Sequence, residues 1–252
     1  MSLLKISNLS KKFKDNYIIK DFNIEINLGD FIMILGRSGV GKSTLLRLIG
    51  GFEIASSGQI CLEGKIIKEP RRDIAMVFQD FNQIFAWKNV LENVAYPLKI
   101  HSNLSKNEIN QKAIKYLSMV GLDRYANYYP HELSGGMKQR VAIARALIQE
   151  PKVLLMDEPF GALDADTKDE LCAKLYQIWL NNPELTIIFV THSIFEAIAM
   201  GNKFLILENN NKYSLIDNPV VNQKNNLKSP ADSGFDEAWS MLNNLIRSKE
   251  VQ

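Results

Sequence analysis

The chain has 252 residues, a formal net charge of +2 and a hydrophobic fraction of 46 %. This length fits one large α/β domain, and 30 basic against 28 acidic residues provide no basic surface of the kind that binds nucleic acid. No apolar run approaches the roughly 18 residues that span a bilayer. We therefore expect any role at a membrane to depend on a partner.

The N-terminal residues and four later runs carry the signals for β-structure. Over residues 1–30, Phe22, Ile24 and Ile26 alternate with polar residues, as in a half-buried strand. Four short runs are apolar without alternation, which is typical of parallel strands covered on both faces. These runs are residues 31–35, 74–78, 153–156 and 186–190.

Between residues 81 and 149 the apolar pattern becomes helical. Ser105 and Glu108 form a capping box, and apolar side chains then recur at helical spacing until Gly121. The sequence predicts an α/β fold with a parallel core sheet, an N-terminal antiparallel β part and a helical subdomain inserted over about 81–149. We expect one domain over residues 1–208 and a polar tail over 209–252, with loop or partial disorder up to 232 and a helix near 235–246.

A glycine-rich motif lies between the first apolar run and a helical run. Residues 36–43 read GRSGVGKS, matching G-x-x-x-x-G-K-[ST], whose backbone N–H groups and helix N-terminus bind phosphate. We expect Lys42 to reach the β- and γ-phosphates and the Ser43 hydroxyl to ligate Mg²⁺. The predicted nucleotide contacts are Gly36, Arg37, Ser38, Gly39, Val40, Gly41, Lys42, Ser43 and Thr44.

A second chemical motif follows another apolar run. Residues 153–158 read VLLMDE, so two carboxylates end a predicted buried strand. In a P-loop protein we expect Asp157 to support Mg²⁺ and Glu158 to act as the base for the attacking water. A P-loop alone leaves kinases, GTPases, helicases and transporters open.

Residues 133–140 read LSGGMKQR, which resembles the signature motif of the ABC ATPases. Ser134, Gly135 and Gly136 open a helix rich in Ala and Val and so form a second phosphate-binding helix N-terminus, where Ser134 can also be the N-cap. The resemblance extends to about Leu207. It implies a P-loop NTPase fold and ATP hydrolysis, with two ATP molecules sandwiched head to tail between two ATPase subunits, most simply a homodimer.

The resemblance also implies roles for single residues. Gln79 matches the glutamine of the Q-loop, which contacts Mg²⁺ and senses the γ-phosphate. Asp164, in the string GALD, matches the D-loop, and His192 matches the switch histidine. Phe13 falls where the family places a ring that stacks on adenine, and Tyr17 nearby is the alternative.

Several strings look most like the ATPases of nitrate, sulfonate and taurine importers: MVFQD at 76–80, Trp87 after it and LLMDEPFGALDA at 154–165. This implies a peripheral subunit on the cytoplasmic face of the cell membrane, bound to a transmembrane permease and acting with an extracytoplasmic solute-binding protein. Two alternatives stay open, an ABC exporter ATPase and a soluble ABC ATPase without a transport role. We expect no nucleic-acid partner.

The segment 81–90 places Phe81, Ile84, Phe85 and Trp87 among polar residues. Aromatic anchors dominate interface energies, and in the resembling family a short permease helix lies in a groove lined by this segment. We therefore expect a docking site here. The alternative is that these side chains pack inside the helical subdomain.

Overall fold

The computed structural model describes residues 2–80, 83–161, 163–221 and 226–247. They divide into two compact units, residues 1–71 with 176–252, and residues 72–175. The elements in chain order are β1 (Ser2–Phe13), β2 (Asn16–Asn27), β3 (Phe31–Gly36), α1 (Lys42–Ile49), β4 (Ser57–Leu62), β5 (Lys65–Ile66), β6 (Ile74–Val77), α2 (Val90–His101), α3 (Lys106–Met119), α4 (Gly135–Leu147), β7 (Val153–Asp157), α5 (Ala165–Leu180), β8 (Thr186–Val190), α6 (Ile194–Met200), β9 (Lys203–Leu207), β10 (Tyr213–Asp217) and α7 (Phe235–Arg247).

An antiparallel sheet forms the N-terminal part of the first unit. Strand β1 pairs with β2 on one side and with β4 on the other, and β4 pairs with β5. Phe22, Ile24 and Ile26 are buried while the residues between them are exposed. The predicted alternation and the predicted antiparallel β part are confirmed.

Parallel strands form the core of the same unit. Strand β3 lies between β8 and β9 and runs parallel to both. Every residue of β3 and β8 is buried, and Thr186 is the polar one among them. Helices cover a parallel sheet on both faces, so its strands favour apolar side chains. The runs at 31–35 and 186–190 are therefore the buried parallel strands that the sequence predicts.

The second unit contains a pair of parallel strands and three helices that pack against one another. Strand β6 runs parallel to β7, and α2, α3 and α4 pack against one another. The capping box of Ser105 and Glu108 begins α3 as predicted. Asn89 and Glu92 begin α2 with a second capping box.

The described residues of the C-terminal tail contain a strand and a helix. The expectation of loop over residues 209–232 is wrong for β10, which pairs antiparallel with β9. The predicted terminal helix is α7, which packs on α6 with the rings of Phe195 and Phe235 5.7 Å apart. In the part of the chain that the structure describes, no helix has both the length and the hydropathy needed to cross a membrane.

Candidate nucleotide-binding and hydrolysis site

The glycine motif forms the turn between β3 and α1. Gly36 and Gly41 both have positive φ angles, of 151° and 107°. A Cβ atom at Gly36 would lie 2.4 Å from the Leu207 carbonyl oxygen, and one at Gly41 would lie 2.9 Å from the Ile18 side chain. A larger residue at either position would clash with these atoms and force the backbone of the turn to shift, so the loop geometry depends on glycine.

Lys42 is buried, with only 5 % of its surface exposed, although it carries an ammonium group. Its Nζ donates hydrogen bonds to the carbonyl oxygens of Gly36 at 2.8 Å and Arg37 at 3.0 Å. The ammonium is thereby held at the N-terminus of α1, where the helix dipole also favours anions. Ser43 and Thr44 follow in the first helical turn and are half-buried.

His192 lies beside the loop on the same unit. It is exposed, and it lines a cleft of about 410 Å³ together with Arg37, Ser38 and Ile246 of α7, among other residues. The loop that carries His192 is fixed locally, since the Thr191 hydroxyl donates to the buried carboxylate of Glu196. The structure thus brings His192 together with the glycine loop within one unit.

The second unit contains the two predicted carboxylates. Asp157 ends β7 and is buried, and Glu158 follows it in a half-buried position. Glu158 has a φ of 46°, a left-handed conformation that costs a non-glycine residue on the order of 1–3 kcal/mol. The side-chain amide of Gln79 donates a hydrogen bond to Glu158 Oε2 at 3.2 Å. The predicted base and the predicted Q-loop glutamine are in direct contact.

The signature string also lies in the second unit. Ser134 is the N-cap of α4, and its hydroxyl oxygen accepts the Met137 N–H at 3.2 Å. Ser134 is exposed while Gly135 and Gly136 are half-buried, and a Cβ atom at Gly135 would meet nothing within 4 Å, so the N-terminus of α4 is accessible at Ser134 and Gly135. The capping role and a phosphate-binding role are compatible in this geometry.

Asp164 has a structural role within the second unit. Its carboxylate accepts the Thr167 N–H at 3.0 Å and so caps the start of α5. That hydrogen bond lowers the pKa of the Asp164 carboxyl. Asp164 is exposed, and its contact with nucleotide stays a prediction.

Two aromatic rings flank the end of the β1–β2 hairpin, and both are available to a base. Phe13 and Tyr17 are each 47 % exposed. The Lys11 Nζ lies 4.8 Å from the Phe13 ring centroid, and the Lys12 Nζ lies 5.4 Å from that of Tyr17. Both interpretations of the adenine contact therefore stay open.

The predicted docking segment is only partly exposed. Phe81 lies outside the described residues, Ile84 is buried, and Phe85 is half-buried against Tyr96 with ring centroids 4.6 Å apart. Trp87, in contrast, is 73 % exposed, which argues against the packing interpretation for this ring.

Two buried side-chain amides were missed by the sequence analysis. Asn93 of α2 is fully buried; its oxygen accepts the Phe85 N–H, and its nitrogen donates to the carbonyl oxygens of Phe85, Lys88 and Asn89. Gln139 of α4 is also buried and contacts the backbone of Phe78. A polar residue on the apolar face of a helix is the signal that could have identified both.

These motifs occur together in one known protein family. A family model described as ABC transporter matches residues 19–161. The chain belongs to the ABC transporter family. It is an ATP-binding cassette and an ATPase, as its motifs imply, and its fold is the α/β P-loop NTPase fold that the sequence predicts.

Among curated relatives, the nitrate import ATP-binding protein NrtD of Synechocystis sp. is 43 % identical over 208 residues, covering 81 % of this chain and 77 % of the relative. The spermidine/putrescine import ATP-binding protein PotA of Thermotoga maritima is 42 % identical, covering 86 % of this chain but only 61 % of PotA. A solved structure of the cassette MJ0796, dimeric in a post-hydrolysis state with ADP and phosphate, superimposes with a TM-score of 0.76 at 33 % identity, over 84 % of this ABC ATPase and 98 % of MJ0796.

Proposed function

We propose that this ABC ATPase drives an importer and that two copies of it sandwich two ATP molecules head to tail. The observation that carries the proposal is that the chain presents two separate helix N-termini suited to phosphate, at α1 after the glycine loop and at α4 after Ser134. In a head-to-tail pair, each ATP meets α1 of one subunit and α4 of the other. The MJ0796 cassette, which is dimeric with ADP and phosphate bound, supports a nucleotide-bound pair of cassettes.

In each site, the glycine loop binds the phosphates and Lys42 places its ammonium between the β- and γ-phosphates. Ser43, Asp157 and Gln79 offer oxygen ligands, the donor type that magnesium prefers, and they would hold Mg²⁺, which when bound offsets the phosphate charge. Ser134, Gly135, Gly136 and Asp164 of the partner complete the site.

Glu158 performs the proton transfer. Its carboxylate accepts a proton from a water whose oxygen bonds to the γ-phosphorus, while the bond from phosphorus to the β–γ bridging oxygen breaks. The products are ADP and phosphate. Gln79 orients Glu158 through their hydrogen bond, and His192 contacts the γ-phosphate from the cleft that it shares with Ser38.

The adenine stacks on Phe13, which is exposed at the hairpin end, with Tyr17 as the alternative ring. Trp87 docks a separate permease, so that hydrolysis at the cytoplasmic face moves a small solute. The NrtD relative is named for nitrate import, which favours a nitrate-like solute or one of the similar class of sulfonates and taurine. In this proposal an extracytoplasmic binding protein delivers the solute. PotA is named for spermidine and putrescine import, so similar cassettes serve importers of different solutes.

The dimer is tested with Glu158→Gln, which removes the base and leaves the phosphate-binding groups. We expect turnover to fall by about 10²–10⁴ and ATP with Mg²⁺ to trap a dimer in size-exclusion chromatography. Glu150→Gln is a matched control, because Glu150 is another glutamate with a positive φ, of 51°, and it pairs with Lys112 instead of Gln79.

Ser134→Arg places bulk and charge at the N-terminus of α4 and should prevent the same dimer. Mixing Ser134→Arg with Glu158→Gln then tests whether the sites act across the interface. If Glu158→Gln stays monomeric in saturating ATP and Mg²⁺, the sandwich arrangement is wrong. The solute is tested by capturing the membrane subunit with the tagged chain and measuring ATPase activity of the complex in proteoliposomes with nitrate, taurine or spermidine.

A further inference from the structure

A side-chain amide links the signature helix α4 to the Q-loop. Gln139 is 2 % exposed, and its Nε2 donates a hydrogen bond to the carbonyl oxygen of Phe78 at 3.3 Å. Phe78 directly precedes Gln79, whose own amide donates to Glu158. Two hydrogen bonds and one peptide step thus connect α4 with the catalytic carboxylate, all inside the second unit.

The start of the Q-loop is also hydrogen-bonded to a second side chain, Gln83. Gln83 accepts the Phe78 N–H at 3.2 Å and donates to the carbonyl oxygens of Phe78 and Asp80, both at 2.9 Å. The Phe78 peptide therefore hydrogen-bonds to both Gln83 and Gln139. Gln139 of α4 and Gln83 thus both bond the peptide that directly precedes Gln79.

Stability gives no reason for an amide at position 139. The Gln139 Oε1 atom is buried and has no hydrogen-bond partner among the described residues. Leaving a buried acceptor unpaired costs about 1–3 kcal/mol, whereas one neutral hydrogen bond contributes only about 1 kcal/mol. A protein with an apolar side chain of the same shape at position 139 would thus be at least as stable. The amide is therefore better explained by the link that it makes between α4 and the Phe78 carbonyl.

We propose that Gln139 is a positioning residue that couples the two ATP sites of the dimer. The inference rests on the proposed sandwich, in which Ser134 contacts the ATP of the partner subunit while Glu158 acts on the ATP of its own subunit. Gln139 lies five residues after Ser134, about 7.5 Å along α4. When Ser134 engages one ATP, α4 moves, and Gln139 carries that movement through Phe78 and Gln79 to the base at the other ATP.

The test uses Gln139→Met, which keeps the length of the side chain and removes its donor. Gln149→Met is the matched control, because Gln149 lies just beyond the C-terminal end of α4 and its amide donates to the Arg145 carbonyl, away from Phe78. ATPase rate is measured against ATP concentration in the full-length protein. We expect the Hill coefficient of Gln139→Met to fall to about 1 and kcat to fall about fivefold, the effect of one net hydrogen bond, while KM, melting temperature and Gln149→Met stay at wild-type values.

Gln139→Asn gives a second measurement, because it keeps an amide but is one methylene shorter and cannot reach Phe78. If donation to Phe78 carries the coupling, Asn behaves like Met. Wild-type cooperativity in both Gln139→Met and Gln139→Asn, or a wild-type Hill coefficient of 1, overturns the coupling role. The Glu158→Gln variant separates the two proposals. If it forms an ATP-trapped dimer and Gln139→Met alone loses cooperativity, both are supported; if it forms the dimer and Gln139→Met keeps wild-type cooperativity, only the coupling is rejected. Failure of Glu158→Gln to dimerise rejects the sandwich itself.

Discussion

The Nζ atom of Lys42 lies 2.8 Å from the carbonyl oxygen of Gly36, so the ammonium is bound by the loop that it serves. This contact keeps the charge in place before any phosphate arrives. Preorganised charge of this kind contributes more to a transition state than a mobile side chain, since little reorganisation is needed during the reaction.

Lys42→Ala should therefore remove hydrolysis and weaken ATP binding. One preorganised donor is worth about 10²–10³ in rate. Phosphate release and the affinity for a fluorescent ATP analogue measure the two effects, and Lys106→Ala, at an exposed position, is the control. Hydrolysis near the wild-type rate in Lys42→Ala would exclude the P-loop role.

Phe13→Ala and Tyr17→Ala form a matched pair, because both rings are equally exposed at one hairpin end. Stacking on a base contributes about 1–3 kcal/mol, so loss of the ring that binds adenine should weaken ATP binding by roughly ten- to a hundredfold. We expect Phe13→Ala to show this loss and Tyr17→Ala to bind normally. The reverse result would transfer the adenine contact to Tyr17.

Trp87→Ala should uncouple ATP hydrolysis from the permease without harming the fold. The ring is 73 % exposed, so its removal should leave basal ATPase activity and melting temperature unchanged. A docking hot spot is worth about 2 kcal/mol or more, which corresponds to roughly thirtyfold weaker permease binding.

Phe85→Ala is the contrasting variant. Phe85 packs on Tyr96, so removal of its ring should lower the melting temperature. Permease-stimulated ATPase activity is the deciding measurement. Full stimulation in Trp87→Ala would show that the permease binds elsewhere.

The buried ammonium of Lys228 lowers the free energy of unfolding by an amount that depends on pH. Burial lowers the pKa of its ammonium to about 8. Below pH 8 both the folded and unfolded states carry the charge, and the folded state bears its full desolvation cost. As pH rises from 8 to about 10.5, folded Lys228 is neutral while unfolded Lys228 is still charged, so this cost disappears.

Lys228→Met should consequently raise the free energy of unfolding at pH 7, by up to about 3 kcal/mol, and the gain should shrink towards pH 10. The Gly201 carbonyl keeps a donor in this variant, since Asn218 also donates to it. Urea unfolding at pH 7, 8.5 and 10 measures the difference, with exposed Lys106→Met as the control. A gain that does not change with pH would contradict the lowered pKa.

The sequence predicts the buried central strands of the fold better than the half-exposed strand β10. Strands β3, β7 and β8 are apolar at nearly every position because both faces are covered, so composition alone identifies them. Strand β10 reads YSLID and is half-exposed, and its strand form depends on pairing with β9. Such context-dependent strands have no periodic signal of their own.

In the candidate site, too, some features can be predicted from the sequence and others cannot. Motifs in the chain identify Lys42 and Glu158 because phosphate chemistry requires particular residue types at fixed spacing. The left-handed backbone of Glu158 and the Gln139–Phe78 hydrogen bond are invisible in the sequence, since both arise from how distant segments pack.

Strand β10 has a practical consequence for anyone shortening this protein. It runs antiparallel along β9 from Leu207 to Lys203, and its Tyr213 hydroxyl accepts the Asn23 N–H of β2. A fragment cut at residue 208 would leave the apolar edge of β9, with the sequence FLIL, without its partner strand. Unpaired apolar edges recruit strands from other molecules, so such a fragment should aggregate, whereas one ending after residue 217 keeps its edge covered.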